Sequence, residues 1–163
     1  MQKLIIFDFD DTLIHLSVDW SIVLEQLKTM AQKEGLKPTD AKDQLIAYAN
    51  ALIRAGKRNE VYSLVFNVEQ KALKRRAYIP FFNIFTLLPK LKSKGHVLAI
   101  ASSNSKEVIH CILEWEKLDT FFSFIFGREQ TSILKPEPEI LLNLLKSARK
   151  TKARFIYIST NAV

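Results

Sequence analysis

An apolar run near the amino terminus constrains the fold more than any other feature. Residues 4–13 read LIIFDFDDTL, and the hydrophobic residues follow one another without the alternation of a half-exposed strand. This pattern predicts a central parallel strand over residues 3–9 that is covered on both faces. The run ends in three carboxylates, Asp8, Asp10 and Asp11. Because side chains at positions i and i+2 of a strand point the same way, Asp8 and Asp10 are expected to lie close together.

A helical pattern follows this strand. Apolar residues recur at helical spacing after Asp19, which is a suitable N-cap for a first helix. A second helix is predicted with Thr39 or Asp40 as its N-cap, and a third from about Asn59. The alternation of helices and strands resumes after Pro80. The segment between the first strand and Pro80 is therefore predicted to be an all-helical insert.

The second half of the chain is predicted to complete an α/β fold. Further strands are expected at residues 96–101, 123–126 and 155–159, and a helix is expected across Phe82, Phe85, Leu88 and Leu91. We predict a four-stranded, parallel, Rossmann-like sheet with helices on both faces. In this division, residues 1–16 and 80–163 form the α/β core, and residues 17–79 form a small helical cap inserted after the first strand.

Composition limits the kind of protein and its surroundings. The chain has 163 residues, 48% of them hydrophobic, which is enough for one sizeable core. Cys111 is the only cysteine, so no internal disulfide framework is possible and a reducing, cytoplasmic setting is expected. No apolar run approaches the ~18 residues of a membrane span, and no targeting segment is predicted. The net charge of +7 favours anionic ligands, but the basic residues are spread along the chain, so nucleic acid is not required.

Polar residues at the predicted strand ends suggest a binding site. Ligands of doubly wound sheets bind at the carboxyl ends of the strands. Two neighbouring carboxylates, Asp8 and Asp10, favour a hard cation such as Mg²⁺ between them. The sequence Ser102-Ser103-Asn104 follows the second core strand, where a hydroxyl and backbone N–H groups before a helix can bind an anion. Lys135, followed by Pro136, would add a positive charge.

These motifs resemble those of the haloacid dehalogenase superfamily, in the branch of phosphoglycolate-phosphatase-like enzymes with a helical cap. Asp8-Phe9-Asp10-Asp11-Thr12 resembles the family's first motif, Ser102 its second and Lys135 its third. The resemblance implies a Mg²⁺-dependent phosphatase acting on a small phosphorylated metabolite. It implies that Asp8 is the nucleophile of an aspartyl-phosphate intermediate and Asp10 a general acid/base. Phosphate would be bound by five residues: Thr12, Ser102, Ser103, Asn104 and Lys135.

The last strand departs from the family's pattern. In the family this strand ends in Gly-Asp or Asp-Asp, whose acid completes the Mg²⁺ shell together with the side chain of Asp8 and the carbonyl of Asp10. Here Thr160 stands at that position, and one negative charge is lost, so weaker Mg²⁺ binding is expected. The family's next strand is also expected to be missing, which would leave the strand at 155–159 as an exposed apolar edge for a partner or a dimer to cover.

Several alternatives remain open at this point. A truncated or catalytically impaired homologue can act as a binding or partner-dependent module, and a mutase shares the same motifs. Asp11 is expected to shape the loop, and His15 is the histidine closest in sequence to the first motif. Ser102 and Ser103 can also serve only as helix caps. The basic residues at the end of the third helix are interpreted as solvated rather than as a substrate patch; they are Lys71, Lys74, Arg75 and Arg76.

Overall fold

The computed structural model describes residues 2–37, 43–149 and 154–160. Six strands and six α-helices follow one another along these residues, joined by short 3-10 turns at Asp119–Phe121 and Arg128–Gln130. In chain order they are β1 (Lys3–Phe7), β2 (Ile14–Leu16), α1 (Trp20–Lys33), α2 (Gln44–Arg54), α3 (Arg58–Lys74), β3 (Tyr78–Pro80), α4 (Ile84–Ser93), β4 (Val97–Ala101), α5 (Lys106–Trp115), β5 (Phe122–Phe126), α6 (Glu139–Ser147) and β6 (Arg154–Ile158).

A four-stranded parallel sheet with the order β5-β4-β1-β6 forms the centre of the fold. This confirms the predicted α/β class and the parallel sheet. β1 lies between β4 and β6, and its residues 4–7 are at most 5% exposed, as the continuous apolar run predicts. β1 ends at Phe7, two residues earlier than predicted, and the chain then turns through Asp11 at a positive φ of 56°. Aspartate tolerates this left-handed conformation better than most residues, which fits a loop-shaping role for Asp11.

Helices cover both faces of the sheet. On one face, Leu4 and Ile6 pack with the buried residues Ile140 and Leu144 of α6. The other face carries α4 and α5, whose buried residues pack against Ile5 and Phe7 and comprise Ile84, Leu88, Val108, Ile109, Ile112 and Leu113. Ser105 is the N-cap of α5, and its side chain accepts a hydrogen bond from the backbone N–H of Glu107.

Helices α1–α3 form a separate apolar cluster between two short strands. β2 and β3 pair in antiparallel fashion, so the chain enters the three helices and leaves them at neighbouring positions. The helices pack on one another through Val23, Leu27, Leu52 and Val61. We call the three helices α1–α3 the insert. Asp19 caps α1 as predicted. The residues predicted to cap the second helix, 39 and 40, lie outside the described part of the chain; the described helix α2 has Asp43 as its N-cap. The proposed boundaries of core and cap stay a prediction.

The aromatic residues before β4 differ from expectation. The helix predicted across Phe82 and Phe85 begins at Ile84, and these two phenylalanines are 84% and 42% exposed. The buried positions of α4 are Leu88, which the prediction included, and Ile84, which it did not. Just before the helix, the N–H of Phe81 bonds to the Leu13 carbonyl at 3.1 Å.

The strand β6 presents apolar side chains at the limit of the described sheet. Phe155 is 56% exposed, and Ile156 and Ile158 are each 38% exposed. Their register with β1 places Phe155 opposite Leu4 and Ile156 opposite Ile5, so both faces of this strand are partly uncovered. Among the helices in the described ranges, none combines the length and the apolarity needed to cross a membrane.

Candidate active site

Asp8 lies directly after β1, where its carboxylate is held by three donors. Its Oδ1 accepts the backbone N–H of Phe9 at 2.8 Å. Its Oδ2 lies 2.5 Å from Lys135 Nζ and accepts the Ser159 hydroxyl at 3.2 Å. The side chain of Asp8 is only 8% exposed. Since an ammonium and two hydrogen bonds hold both of its oxygens, Asp8 is an oriented carboxylate at the carboxyl edge of the sheet.

Lys135 connects the ends of three strands. Its side chain reaches from the loop before α6, and besides Asp8 its Nζ lies 3.5 Å from the Ala101 carbonyl of β4 and 3.2 Å from the Tyr157 hydroxyl of β6. The lysine side chain is 19% exposed, so the positive charge is partly shielded from solvent. A fixed ammonium at this place can neutralise charge on an anionic ligand that approaches Asp8.

Asp10 lies one turn further along, in a setting that disfavours its charge. Its Oδ1 accepts the backbone N–H groups of Leu16 at 2.8 Å and of Asp11 at 3.1 Å. Burial raises the pKa of Asp10 to about 6; the Leu16 hydrogen bond opposes this shift and the nearby Asp11 charge adds to it. A carboxyl group that titrates near neutral pH can both donate and accept a proton, as a general acid/base must.

We expect the substitution Asp10→Asn to stabilise the fold at neutral pH. The folded-state pKa lies above the ordinary value of 3.8, so the folded protein binds this proton more tightly than the unfolded chain does. Stability from this group is therefore full below about pH 4 and is lost as the pH rises through about 6. Asn keeps the acceptor oxygen without the charge. Because solvent screens a partly exposed group, we expect a gain of about 1–2 kcal/mol at pH 7.

Urea unfolding in the presence of a chelator would measure this gain at pH 7 and at pH 4. The difference between the Asp10→Asn variant and the wild type should vanish at the lower pH, where Asp10 is protonated in both states. A gain of the same size at both pH values would show that the charge of Asp10 is not its cause.

The turn after β4 is closed by hydrogen bonds within itself. The Ser102 hydroxyl donates to Asn104 Oδ1 at 2.8 Å, and the N–H of Asn104 donates back to Ser102 Oγ at 3.2 Å. Ser102 is 1% exposed, and its N–H bonds to the Phe126 carbonyl of β5. The Ser103 carbonyl accepts from Arg128. The structure therefore places Ser102 at the strand end and turns the Asn104 side chain away toward the insert.

A buried ion pair that the sequence analysis missed supports this turn. Glu69 on α3 is fully buried and pairs with Arg128, which is 1% exposed and follows β5. Glu69 also accepts the Asn104 side-chain N–H at 3.0 Å and the Ser105 N–H at 3.4 Å. Glu69 lies in the inward stripe of α3 with Val65 and Leu73. An acid at an apolar position of a helix is the signal that could have revealed it.

Thr12 and Thr160 meet at the end of β6. The N–H of Thr160 donates to Thr12 Oγ1 at 3.3 Å, and its hydroxyl donates to the Asp11 carbonyl at 2.8 Å. Thr160 thus lies at the predicted place beside the first motif, with a neutral hydroxyl. Its neighbour Ser159 contacts Asp8 directly, which the sequence analysis did not anticipate. The only signal for Ser159 was its position at the strand end.

A further group of metal-type donors lies beside Asp8. One ligand atom each of Asp10, Asp11 and His15 lies within 4.8 Å of the others, and His15 Nδ1 is 2.7 Å from Asp11 Oδ1. The hydrogen bond with Asp11 raises the pKa of His15. This group shares Asp10 with the predicted Mg²⁺ ligands but lacks Asp8 and Thr160. His15 and Asp11 are both about half exposed, so solvent already hydrates this pair.

Comparisons with known proteins agree with this arrangement. Residues 5–161 match the family described as haloacid dehalogenase-like hydrolase. The chain is 29% identical over 153 residues to a phosphoglycolate phosphatase of Aquifex aeolicus (strain VF5), covering 89% of this chain and 70% of that protein. It is 23% identical over 128 residues to (S)-2-haloacid dehalogenase 2 of Pseudomonas sp. (strain CBS-3), covering 77% of this chain and 52% of that one.

The fold is also similar to that of a solved structure. A HAD-superfamily hydrolase from Geobacter sulfurreducens PCA superposes with a TM-score of 0.55 at 19% identity, over 98% of this chain and 81% of the other. At this identity the likeness concerns the fold alone. The family match covers nearly the whole chain and includes every residue placed around Asp8 above. The chain belongs to the haloacid dehalogenase-like hydrolase family.

Proposed function

We propose that this protein is a Mg²⁺-dependent phosphatase that acts on a small phosphorylated metabolite in the cytoplasm. The observation that carries the proposal is the pair of carboxylates with different surroundings. Asp8 is ion-paired with Lys135 and accepts the Phe9 N–H and the Ser159 hydroxyl, whereas burial raises the pKa of Asp10 to about 6. A carboxylate oriented by a lysine and a second carboxyl group with a raised pKa suit a nucleophile and an acid/base in one site.

The proposed reaction has two steps. An Asp8 oxygen attacks phosphorus, the bond to the ester oxygen breaks, and Asp10 donates its proton to that leaving oxygen. Asp10 then takes a proton from a water molecule that attacks the aspartyl-phosphate, which releases inorganic phosphate and restores Asp8. Expulsion of a halide would need no proton, so an acid at position 10 favours phosphate over halide as the leaving chemistry.

Charge neutralisation is the main task of the residues around Asp8. Lys135 Nζ and the Ser159 hydroxyl both contact Oδ2 of Asp8. Ser102 can donate to a phosphoryl oxygen once its hydroxyl leaves Asn104 Oδ1. Thr12 and the backbone of Ser103 and Asn104 are the other proposed phosphate ligands. We propose that residues 17–79 form the cap that selects the rest of the substrate.

The donor chemistry fits a hard divalent cation. The Asp8 carboxylate and the Asp10 carbonyl are oxygen donors of the kind that Mg²⁺ prefers, and they would hold it. When bound, Mg²⁺ would supply positive charge that stabilises the transferring phosphoryl oxygens. The neutral hydroxyl of Thr160 donates to the Asp11 carbonyl, so it adds no charge to the ligand set. We therefore expect weak Mg²⁺ binding.

Thr160→Asp should strengthen Mg²⁺ binding. The substitution restores a carboxylate beside Thr12 and Asp11, and affinity for a hard cation rises with the number of charged ligands, so a gain of about tenfold or more is expected. Isothermal titration with MgCl₂ would measure it. Thr160→Asn is the matched control, similar in size but uncharged. Equal affinities in the two variants would mean that this position does not face the cation and that the weak-site account is wrong.

Release of inorganic phosphate from a panel of phosphomonoesters, assayed with and without Mg²⁺, tests the proposed function. Turnover that depends on Mg²⁺ supports it, and absence of turnover for the wild type and for Thr160→Asp together would overturn it. Analysis of the organic product separates a phosphatase from a mutase, since a mutase yields an isomer and no free phosphate.

A second candidate function is a binding module that depends on a partner. It is favoured by the apolar side chains of β6, of which Phe155 is 56% exposed. Exposed apolar edge strands pair readily with other chains. Light scattering over a range of concentrations would detect a dimer, and Phe155→Lys should abolish it. A monomeric wild type with phosphatase activity would rule this candidate out.

A further inference from the structure

The residue before Lys135 lies inside the insert rather than in the α/β core. Leu134 is 4% exposed and belongs to the apolar cluster that α1–α3 build, together with Val23, Leu27 and Leu52. This is a long-range contact, because Leu134 lies in the loop before α6. The loop that carries Lys135 is therefore anchored by its apolar side chain in the insert, while the lysine itself extends to the sheet.

Asn50 on α2 binds the backbone of the same leucine twice. Its Nδ2 donates to the Leu134 carbonyl at 3.1 Å, and its Oδ1 accepts the Leu134 N–H at 3.0 Å. Asn50 is 5% exposed, so these bonds form away from water. A carboxamide is the group that can satisfy one donor and one acceptor of a peptide at the same time. Removing it would leave the buried Leu134 N–H without a partner, which is costly, while the Leu134 carbonyl would keep only the Glu137 N–H at 3.3 Å.

The geometry of this pair determines where Lys135 begins. Two hydrogen bonds to one residue fix the peptide planes on both sides of Leu134, and the second of these planes includes the N of Lys135. From there the side chain brings its Nζ to 2.5 Å from Asp8 Oδ2. A small rotation of this plane would be enlarged along the long, flexible lysine side chain. The ion pair between Lys135 and Asp8 therefore depends on a fixed position of the Lys135 backbone.

Other contacts between the insert and this loop are more exposed or lie further from Lys135. Arg58 and Tyr62 donate to the Thr131 carbonyl, four residues before the lysine. Arg54 forms an ion pair with Glu137 at 2.6 Å, in which the side chains are 59% and 42% exposed. Exposed ion pairs of this kind contribute little. Asn50 is the buried polar contact nearest to Lys135 that the described part of the insert makes.

We propose that Asn50 is a positioning residue that holds Lys135 against Asp8. The insert thereby sets the position of the cation in the core site, and movement of α2 away from the core would withdraw Lys135 from Asp8. The structural part of this inference rests on contacts alone. Its catalytic consequence, a slower phosphoryl transfer when Asn50 is changed, rests on the function proposed above.

Chemical labelling of lysines tests the structural part without any need for activity. The full chain is treated briefly with an acetylating reagent at pH 8, and the rate at each lysine is followed by mass spectrometry. In Asn50→Ala we expect Lys135 to react about tenfold faster than in the wild type, because its amine leaves the ion pair. Lys57, which pairs with Glu34 inside the insert, should keep its wild-type rate. Faster labelling of both lysines would signal general unfolding.

Two further variants complete the design. Arg54→Gln removes the exposed ion pair from the same helix and should leave the Lys135 rate within about twofold of the wild type. If Asn50→Ala unfolds, Asn50→Leu takes its place, since it has a similar shape, adds no charge and removes both hydrogen bonds to Leu134. A Lys135 rate within twofold of the wild type in the folded Asn50 variant overturns the proposal.

Kinetics provide a second measurement once turnover is established. Asn50→Ala should lower kcat about tenfold and change KM less, because Lys135 is proposed to act on charge that develops during transfer. Arg54→Gln should keep the wild-type kcat, so an equal loss of kcat in both variants would point to a general effect on α2 rather than to Asn50. If the wild type shows no turnover, the proposed function fails, while the labelling result still decides whether Asn50 positions Lys135.

Discussion

Asp8→Asn is expected to reduce the release of phosphate by a factor of at least about 10³, because the amide cannot attack phosphorus and form the covalent intermediate. The fold should survive, since the amide oxygen can still accept the Phe9 N–H that Asp8 Oδ1 accepts at 2.8 Å. The substitution leaves Lys135 without its carboxylate partner, so substrate phosphate can still bind to the lysine. We therefore expect kcat to fall far more than the affinity for a phosphomonoester. Steady-state release of phosphate, with circular dichroism to verify folding, measures this.

A matched carboxylate-to-amide change provides the control. Asp119 begins the 3-10 turn that precedes β5, so it lies at the amino end of a strand parallel to β1, the edge of the sheet opposite to Asp8. Asp119→Asn should retain the wild-type rate. If Asp8→Asn kept more than a tenth of the wild-type turnover while Asp119→Asn was unaffected, Asp8 would not be the nucleophile.

Arg128→Met is expected to cause the largest loss of stability, about 3–5 kcal/mol in the free energy of unfolding. It would leave the charge of Glu69 unpaired at a position that is fully buried. Such a loss is a large part of the total of about 5–15 kcal/mol that folded domains have. The Ser103 carbonyl would lose a donor as well, at 2.9 Å in the wild type, so the turn that holds Ser102 should loosen. Equilibrium unfolding in urea measures the effect.

The exposed ion pair between the same two parts of the chain is the control. Arg54→Met breaks its contact with Glu137, and we expect a cost of about 0–1 kcal/mol because solvent surrounds both side chains. The double variant Arg128→Met with Glu69→Gln should recover part of the loss, since no buried charge is left unpaired. Equal costs for Arg128→Met and Arg54→Met would show that burial does not determine the value of the Glu69 pair.

Local sequence patterns predicted most of the fold. The unbroken apolar run of β1 predicted a central parallel strand, because a strand covered on both faces needs apolar residues at successive positions. Asp19 marked the start of α1, since its side chain accepts a free N–H group of the first turn. Spacing was less informative for α4, where Phe82 lies before the helix and is 84% exposed, and Phe85 is 42% exposed.

The sequence by itself determined the parallel sheet and most of the helices, because periodicity and spacing act between near neighbours. Only the tertiary structure decided which distant polar groups meet. Arg128 finds Glu69 across 59 positions, and Asn50 finds Leu134 across 84. Such pairs leave little trace in local patterns, since a buried polar side chain needs a partner at one distance and orientation. That partner is selected by how the insert packs on the core, which brings Lys135 to Asp8.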